Sequence, residues 1–255
     1  MNPNRKKWFN LYAGLLKKTK KPTHFIYLGE EFSDGAVILS NHVGTAAPLS
    51  FELFLDKPTR FWGASEMNGS LGSMYKYQSE VFYHEKRGWN LFGARMFCLL
   101  ASPLTWLFYR GLNLISTYQD MRLAHTLRES WEAISSGTSV VIFPEISDKG
   151  YLDTLEGFHG GFALLLEFCK KRGVDVPIFV SYYNKENQAH MVDKPILYSA
   201  LAEKYPTREA QAEYLCARCN RMGEISRMLG EGYALPEGLC ECQSDAPALK
   251  KTAQV

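Results

Sequence analysis

Two residues with acid–base chemistry stand at the ends of apolar runs, 103 positions apart. His42 lies in Ser40-Asn41-His42-Val43-Gly44-Thr45, directly after the run 35–39, and Glu145 closes Phe143-Pro144-Glu145 after Ser139-Val140-Val141-Ile142. Both runs have the length and the apolar content of buried strands. In open α/β sheets ligands bind beyond the carboxyl ends of the strands, so a histidine there is placed to meet a substrate. An imidazole that titrates near neutrality suits removal of a proton from an attacking hydroxyl. Taken alone, His42 is equally accounted for by hydrogen bonds within a turn. Gly44 and Thr45 lead into a helical stretch and offer backbone N–H groups and a helix N-terminus to an oxyanion or a phosphate.

The cysteines suggest a different chemistry and mostly fail to support it. Cys216-x-x-Cys219 and Cys240-x-Cys242 together supply four thiolates at spacings compatible with zinc. However, Leu215, Cys219, Met222, Ile225 and Leu229 fall on one helical face, which makes Cys219 a small core residue. No segment calls for a metal. With no secretory signal ahead of them, the six cysteines are expected to be reduced and intracellular.

The elements that must position His42 and Glu145 follow from the hydrophobic pattern. Strands are expected at 24–28, 35–40, 59–64, 112–117, 139–143 and 176–180, with a short one near 190–193. Helices are expected at 49–55, 122–135, from Phe158 toward Lys171, and after Thr207, a candidate N-cap with Glu209 in the first turn. Alternation of this kind predicts a single α/β domain whose mostly parallel sheet is flanked by helices. The stretch 68–90 has no clean period. No internal repeat or linker divides the chain, which reads as an N-terminal helix over 1–22, the α/β domain over 23–242 and a disordered tail over 243–255.

Net charge is +2, so nothing global points to nucleic acid. Locally, 4–21 carries Arg5, Lys6, Lys7, Lys17, Lys18, Lys20 and Lys21 and no acidic residue, around Trp8, Leu11, Tyr12, Leu15 and Leu16. A basic amphipathic helix of this composition can lie among lipid headgroups or simply pack on the body. Residues 94–109 are the most hydrophobic; at sixteen residues with Pro103 inside, they fall short of the roughly twenty that a spanning helix needs. They read as a core helix or a monotopic insertion. A cytoplasmic protein held peripherally on a membrane is the expectation.

Asn41-His42 after one strand and Phe143-Pro144-Glu145 after another resemble motifs of the glycerophospholipid acyltransferase family, best known from the 1-acylglycerol-3-phosphate acyltransferases. The resemblance covers 35–180. It includes Phe158 to Gly161 as the Phe-x-x-Gly element and Val176-Pro177 as the Val-Pro strand. It implies acyl transfer from acyl-CoA or acyl carrier protein, as donor substrate and without a further cofactor, to a hydroxyl of a lysophospholipid or related acceptor, in phospholipid biosynthesis. His42 would be the general base and Glu145 would shape the site.

Three positions depart from the family pattern. Ala47 stands where the family has the aspartate that orients the histidine; Glu145, Glu66 and Asp148 are the candidate substitutes, Glu145 first. The family's phosphate-binding arginine falls near Gln119; Arg110 lies upstream and Arg122 three residues later, with Arg122 the candidate for the acceptor's phosphate. Ile146 replaces a glycine. The departures open a second reading, a noncatalytic lipid- or acyl-binding protein on the same fold. A hydrolase ranks below both because no Gly-x-Ser-x-Gly elbow is present.

Overall fold

The computed structural model describes residues 5–118, 120–146 and 152–230. Helix α1 (Lys7–Lys18) precedes strands β1 (His24–Tyr27) and β2 (Val37–Ser40). Helix α2 (Ala46–Phe54) and β3 (Thr59–Ala64) follow, and then a helical excursion of α3 (Leu71–Lys76), a π-helical segment (Tyr77–Lys86) and α4 (Leu91–Leu112). The chain returns through β4 (Ile115–Thr117), α5 (Leu123–Ser135), β5 (Ser139–Ile142), α6 (Gly161–Lys170) and β6 (Pro177–Asn184). It ends with β7 (Ala189–Val192), β8 (Ile196–Leu197), α7 (Tyr198–Lys204) and α8 (Arg208–Gly230).

These strands form one eight-stranded sheet in the order β1-β7-β6-β2-β5-β3-β4, with β8 paired to β6. It is the expected α/β fold, parallel except where β7 and β8 run against β6. Alternation within β2 and β5 sends side chains to two cores, since successive strand residues face opposite sides. Val37, Leu39, Val140 and Ile142 meet α5, α6 and α8. Ile38 and Val141 meet Phe9, Phe51 and Leu112 from α1, α2 and α4 on the other face.

Several boundaries differ from the sequence reading. Helix α2 starts at Ala46 rather than Leu49, which brings its first turn up to the His42 loop. The unassigned stretch 68–90 holds α3 and the π-helical segment, which pack on α4; tertiary contact supplies what periodicity does not show. Helix α4 runs 22 residues through Pro103, so it meets the length and composition for crossing a membrane that 94–109 was expected to miss. It ends at Leu112 with Asn113 in the left-handed region, and β4 is correspondingly shorter than 112–117. Helix α6 begins at Gly161, because Phe158 is used instead in a bridge to Glu145.

Candidate functional site

Register brings the two polar residues together. Leu39 of β2 is paired with Ile142 of β5, and His42 and Glu145 each lie three residues beyond that pair. The outgoing connections then leave for opposite faces of the sheet, α2 on one side and α6 on the other, which is the topology that places ligands beyond the carboxyl ends of the strands. Between the two connections the backbone N–H of His42 donates to Glu145 Oε2 at 2.9 Å.

Asn41 ends β2 in a way that aims the next residue. Its side-chain amide donates to the Tyr183 carbonyl at 3.1 Å and accepts from the Tyr183 N–H at 2.7 Å. The side chain thus continues the β2–β6 ladder after the main chain has left it, and a fully buried amide is satisfied on both sides. The chain turns at Gly44, buried and at φ +60, a left-handed conformation that glycine adopts without a Cβ penalty. The half-buried His42 imidazole stands edge-on to Phe143, with ring centroids 4.9 Å apart.

Glu145 is held from the opposite side. The Glu145–Phe158 bridge is flanked by His159 N–H to the Pro144 carbonyl at 2.7 Å and Ile146 N–H to the Gly157 carbonyl at 3.0 Å. The Phe158–Gly161 element therefore works as a splint for Phe143-Pro144-Glu145. Burial pushes the Glu145 carboxyl above its ordinary range, and the backbones of His42 and Leu152 offset part of that rise. Its hydrogen bond reaches the His42 main chain, so this bond fixes the position of the residue and leaves ring orientation to other groups.

The remaining expected site residues are placed less centrally. Thr45 caps α2 without a side-chain hydrogen bond, and the first turn of α2 carries no acidic residue, so the helix end next to His42 keeps its positive character. Ala47 is fully buried in that turn. Glu66 is exposed and bonded to Ser65, while Asp148 and Gln119 lie outside the described residues. Arg122 is exposed, stacked on Tyr118 at 4.4 Å and engaged by both oxygens of Asp120, which itself is held down to about 2 by that guanidinium. A phosphate at Arg122 would compete with this internal carboxylate.

Sequence reading missed a buried polar chain beside the site. Ser181 Oγ lies 2.9 Å from His190 Nδ1, His190 Nε2 lies 2.6 Å from Ser50 Oγ, and Ser50 donates to the Ala47 carbonyl at 2.7 Å. A carbonyl only accepts, so the assignment that satisfies every atom has Nε2–H donating to Ser50 and Ser181 donating to Nδ1. His190 is neutral there: full burial depresses its pKa to about 3. Its ring is stacked on Phe25 at 4.9 Å. Ser181-His190-Ser50 thus ties the first turns of α2 to β6 and β7. A histidine within the apolar run of β7 was the only local hint of it.

Cys216 and Cys219 are buried on the inner side of α8. Burial raises both thiols, Cys216 to about 11 and Cys219 well above the usual value, and Cys219 Sγ sits 3.4 Å from the Ser181 carbonyl. Cys240 and Cys242 lie outside the described residues, among which no cluster of three or more metal-ligating side chains occurs. A cleft of about 510 Å³ lies between α8 and the 155–160 segment, and Glu156, Glu209 and Glu213 line it. These carboxylates disfavour an anionic donor or acceptor there. Comparison with known protein families and with curated proteins finds no match to this chain.

Proposed function

We propose that the chain transfers an acyl group from a thioester donor, acyl-CoA or acyl carrier protein, to a hydroxyl of a lysophospholipid or related acceptor. The observation that carries this reading is the placement of His42 and Glu145 side by side at the carboxyl ends of adjacent parallel strands, joined by the 2.9 Å hydrogen bond. In this reaction the His42 imidazole takes the proton of the acceptor hydroxyl as its oxygen attacks the thioester carbonyl. The carbonyl oxygen becomes an oxyanion, which the N-terminal end of α2 stabilises through its dipole. Collapse forms the new ester and expels the thiolate, which recovers the proton from the imidazolium. Glu145 acts by holding the His42 backbone.

The second reading, a binder of lipid or acyl chains without turnover, is favoured by the buried methyl of Ala47 where a carboxylate would orient the imidazole. Radiolabelled acyl-CoA offered with a panel of lysophospholipids and other alcohols separates the two readings. Ester formation that is lost in His42→Ala supports transfer. Ester formation that survives this substitution removes His42 from the mechanism. Retention of the acyl chain with no ester on any acceptor selects the binder.

A further inference from the structure

Helices α1 and α4 come from segments some eighty residues apart, and together they make one exposed apolar face. Along α4, Phe92, Met96, Leu99, Leu100, Leu104 and Leu107 are exposed, Leu100 to 81%. Their spacing follows one helical stripe that runs for about 22 Å at the rise of an α-helix. The opposite side of α4 carries Ala94, Cys98 and Ser102, all buried. On α1 the stripe is Trp8, Leu11, Tyr12 and Leu15, with Leu11 70% exposed. The two helices are locked together by Phe9, which packs on Phe108 and against Gly111, where any side chain would overlap its ring. Tyr12 also reaches Phe108, next to Leu107, so the stripes meet at that crossing.

Charge selects the occupant. Lys6, Lys7, Lys17, Lys18, Lys20 and Lys21 are exposed on α1 and at its two ends, and no acidic residue lies between 5 and 21. An apolar stripe bordered by cations matches an anionic lipid surface. A second copy of the chain, packed symmetrically on this face, would bring lysines against lysines. The packing also sets the orientation. Helix α4 bonds the π-helical segment through buried Ser102 to Gln78 at 2.7 Å and through exposed Arg95 to Glu80 at 3.0 Å. Threading α4 across a bilayer would carry these polar groups into hydrocarbon.

We propose that the α1–α4 face docks on an anionic bilayer, with α4 lying in the plane of the interface although it is long enough to cross. The docking stands apart from acyl transfer, since its readout needs no turnover.

The test is flotation of the full chain with vesicles of phosphatidylcholine alone or mixed with phosphatidylglycerol, at low and high salt. The chain is expected to float with the mixed vesicles, less so as salt rises. Replacing Lys7, Lys18, Lys20 and Lys21 by Gln should weaken this binding by roughly several hundredfold, at about fivefold per cation. Leu100→Glu with Leu104→Glu should abolish it, while circular dichroism stays unchanged because both leucines are exposed. Alkaline carbonate should release the bound protein. The proposal is overturned by a chain that floats with neither vesicle, by variants that bind as the parent does, or by a parent dimer that the leucine variant splits without any vesicle binding. Retention after carbonate treatment overturns the in-plane orientation.

Discussion

The hydrogen bond from the His42 backbone to the Glu145 carboxylate joins two loops that leave neighbouring strands on opposite faces of the sheet. It ties the candidate base to its position through the main chain, and it does so with a group whose charge the site disfavours.

Because burial raises the Glu145 carboxyl, the unfolded chain gives up that proton at lower pH than the folded one. The contribution of this group is therefore most favourable below the ordinary glutamate pKa and declines as pH rises through the elevated folded value. Glu145→Gln keeps an oxygen acceptor for the His42 N–H and removes the charge. It should raise the thermal midpoint at neutral pH, with the gain vanishing toward pH 4 and below. Glu145→Ala should lower the midpoint at every pH. Thermal melts across a pH series check both.

His190 predicts the opposite pH dependence. Its folded pKa of about 3 lies well below the unfolded value, so the stability it contributes is complete above the unfolded pKa of about 6.5. It is lost as pH falls toward 3, by on the order of 4 kcal/mol over the whole range. His190→Gln should destabilise the protein by about 2–4 kcal/mol at neutral pH, through lost stacking and lost hydrogen bonds to Ser50 and Ser181. The gap between variant and parent should narrow steadily on acidification. Urea titrations at several pH values measure it, and a constant gap would contradict a neutral buried imidazole.

Arg5 and Glu52 form a buried ion pair with contacts of 3.0 and 2.6 Å, and it fastens the chain just ahead of α1 to the helix that follows His42. Removing one partner strands the other away from water. Glu52→Ala is expected to cost about 3–5 kcal/mol, whereas the joint change Arg5→Met with Glu52→Leu should recover most of that loss. Trp8 fluorescence during denaturation would report whether α1 detaches before the sheet unfolds.

Arg122 is committed to Asp120 on an exposed surface. Arg122→Ala should leave the thermal midpoint unchanged, since exposed pairs of this kind contribute little. Asp120→Asn frees the guanidinium, and under the acyl-transfer reading it should lower KM for a phosphorylated acceptor at unchanged kcat. Initial-rate measurements on lysophosphatidic acid and on a neutral alcohol distinguish this from a general gain.

Much of this arrangement is local and therefore legible in the residues. The apolar runs before His42 and before Glu145 specify buried parallel strands, because only strands covered on both faces are apolar at successive positions. Alternation with helical periods specifies the α/β class, and the lysine-rich amphipathic pattern specifies α1. Tertiary structure decided what depends on register and on distant pairing. The Leu39–Ile142 register sets Glu145 against the His42 backbone, which no count of intervening residues foretells. Packing against α3 and the π-helical segment carries α4 through Pro103 and turns one of its sides outward. Ser50, Ser181 and His190 converge from α2, β6 and β7, and Arg5 finds Glu52 across 47 residues. Such buried polar pairs are fixed by three-dimensional proximity and by the cost of leaving any member unsatisfied, and neither has a signature along the chain.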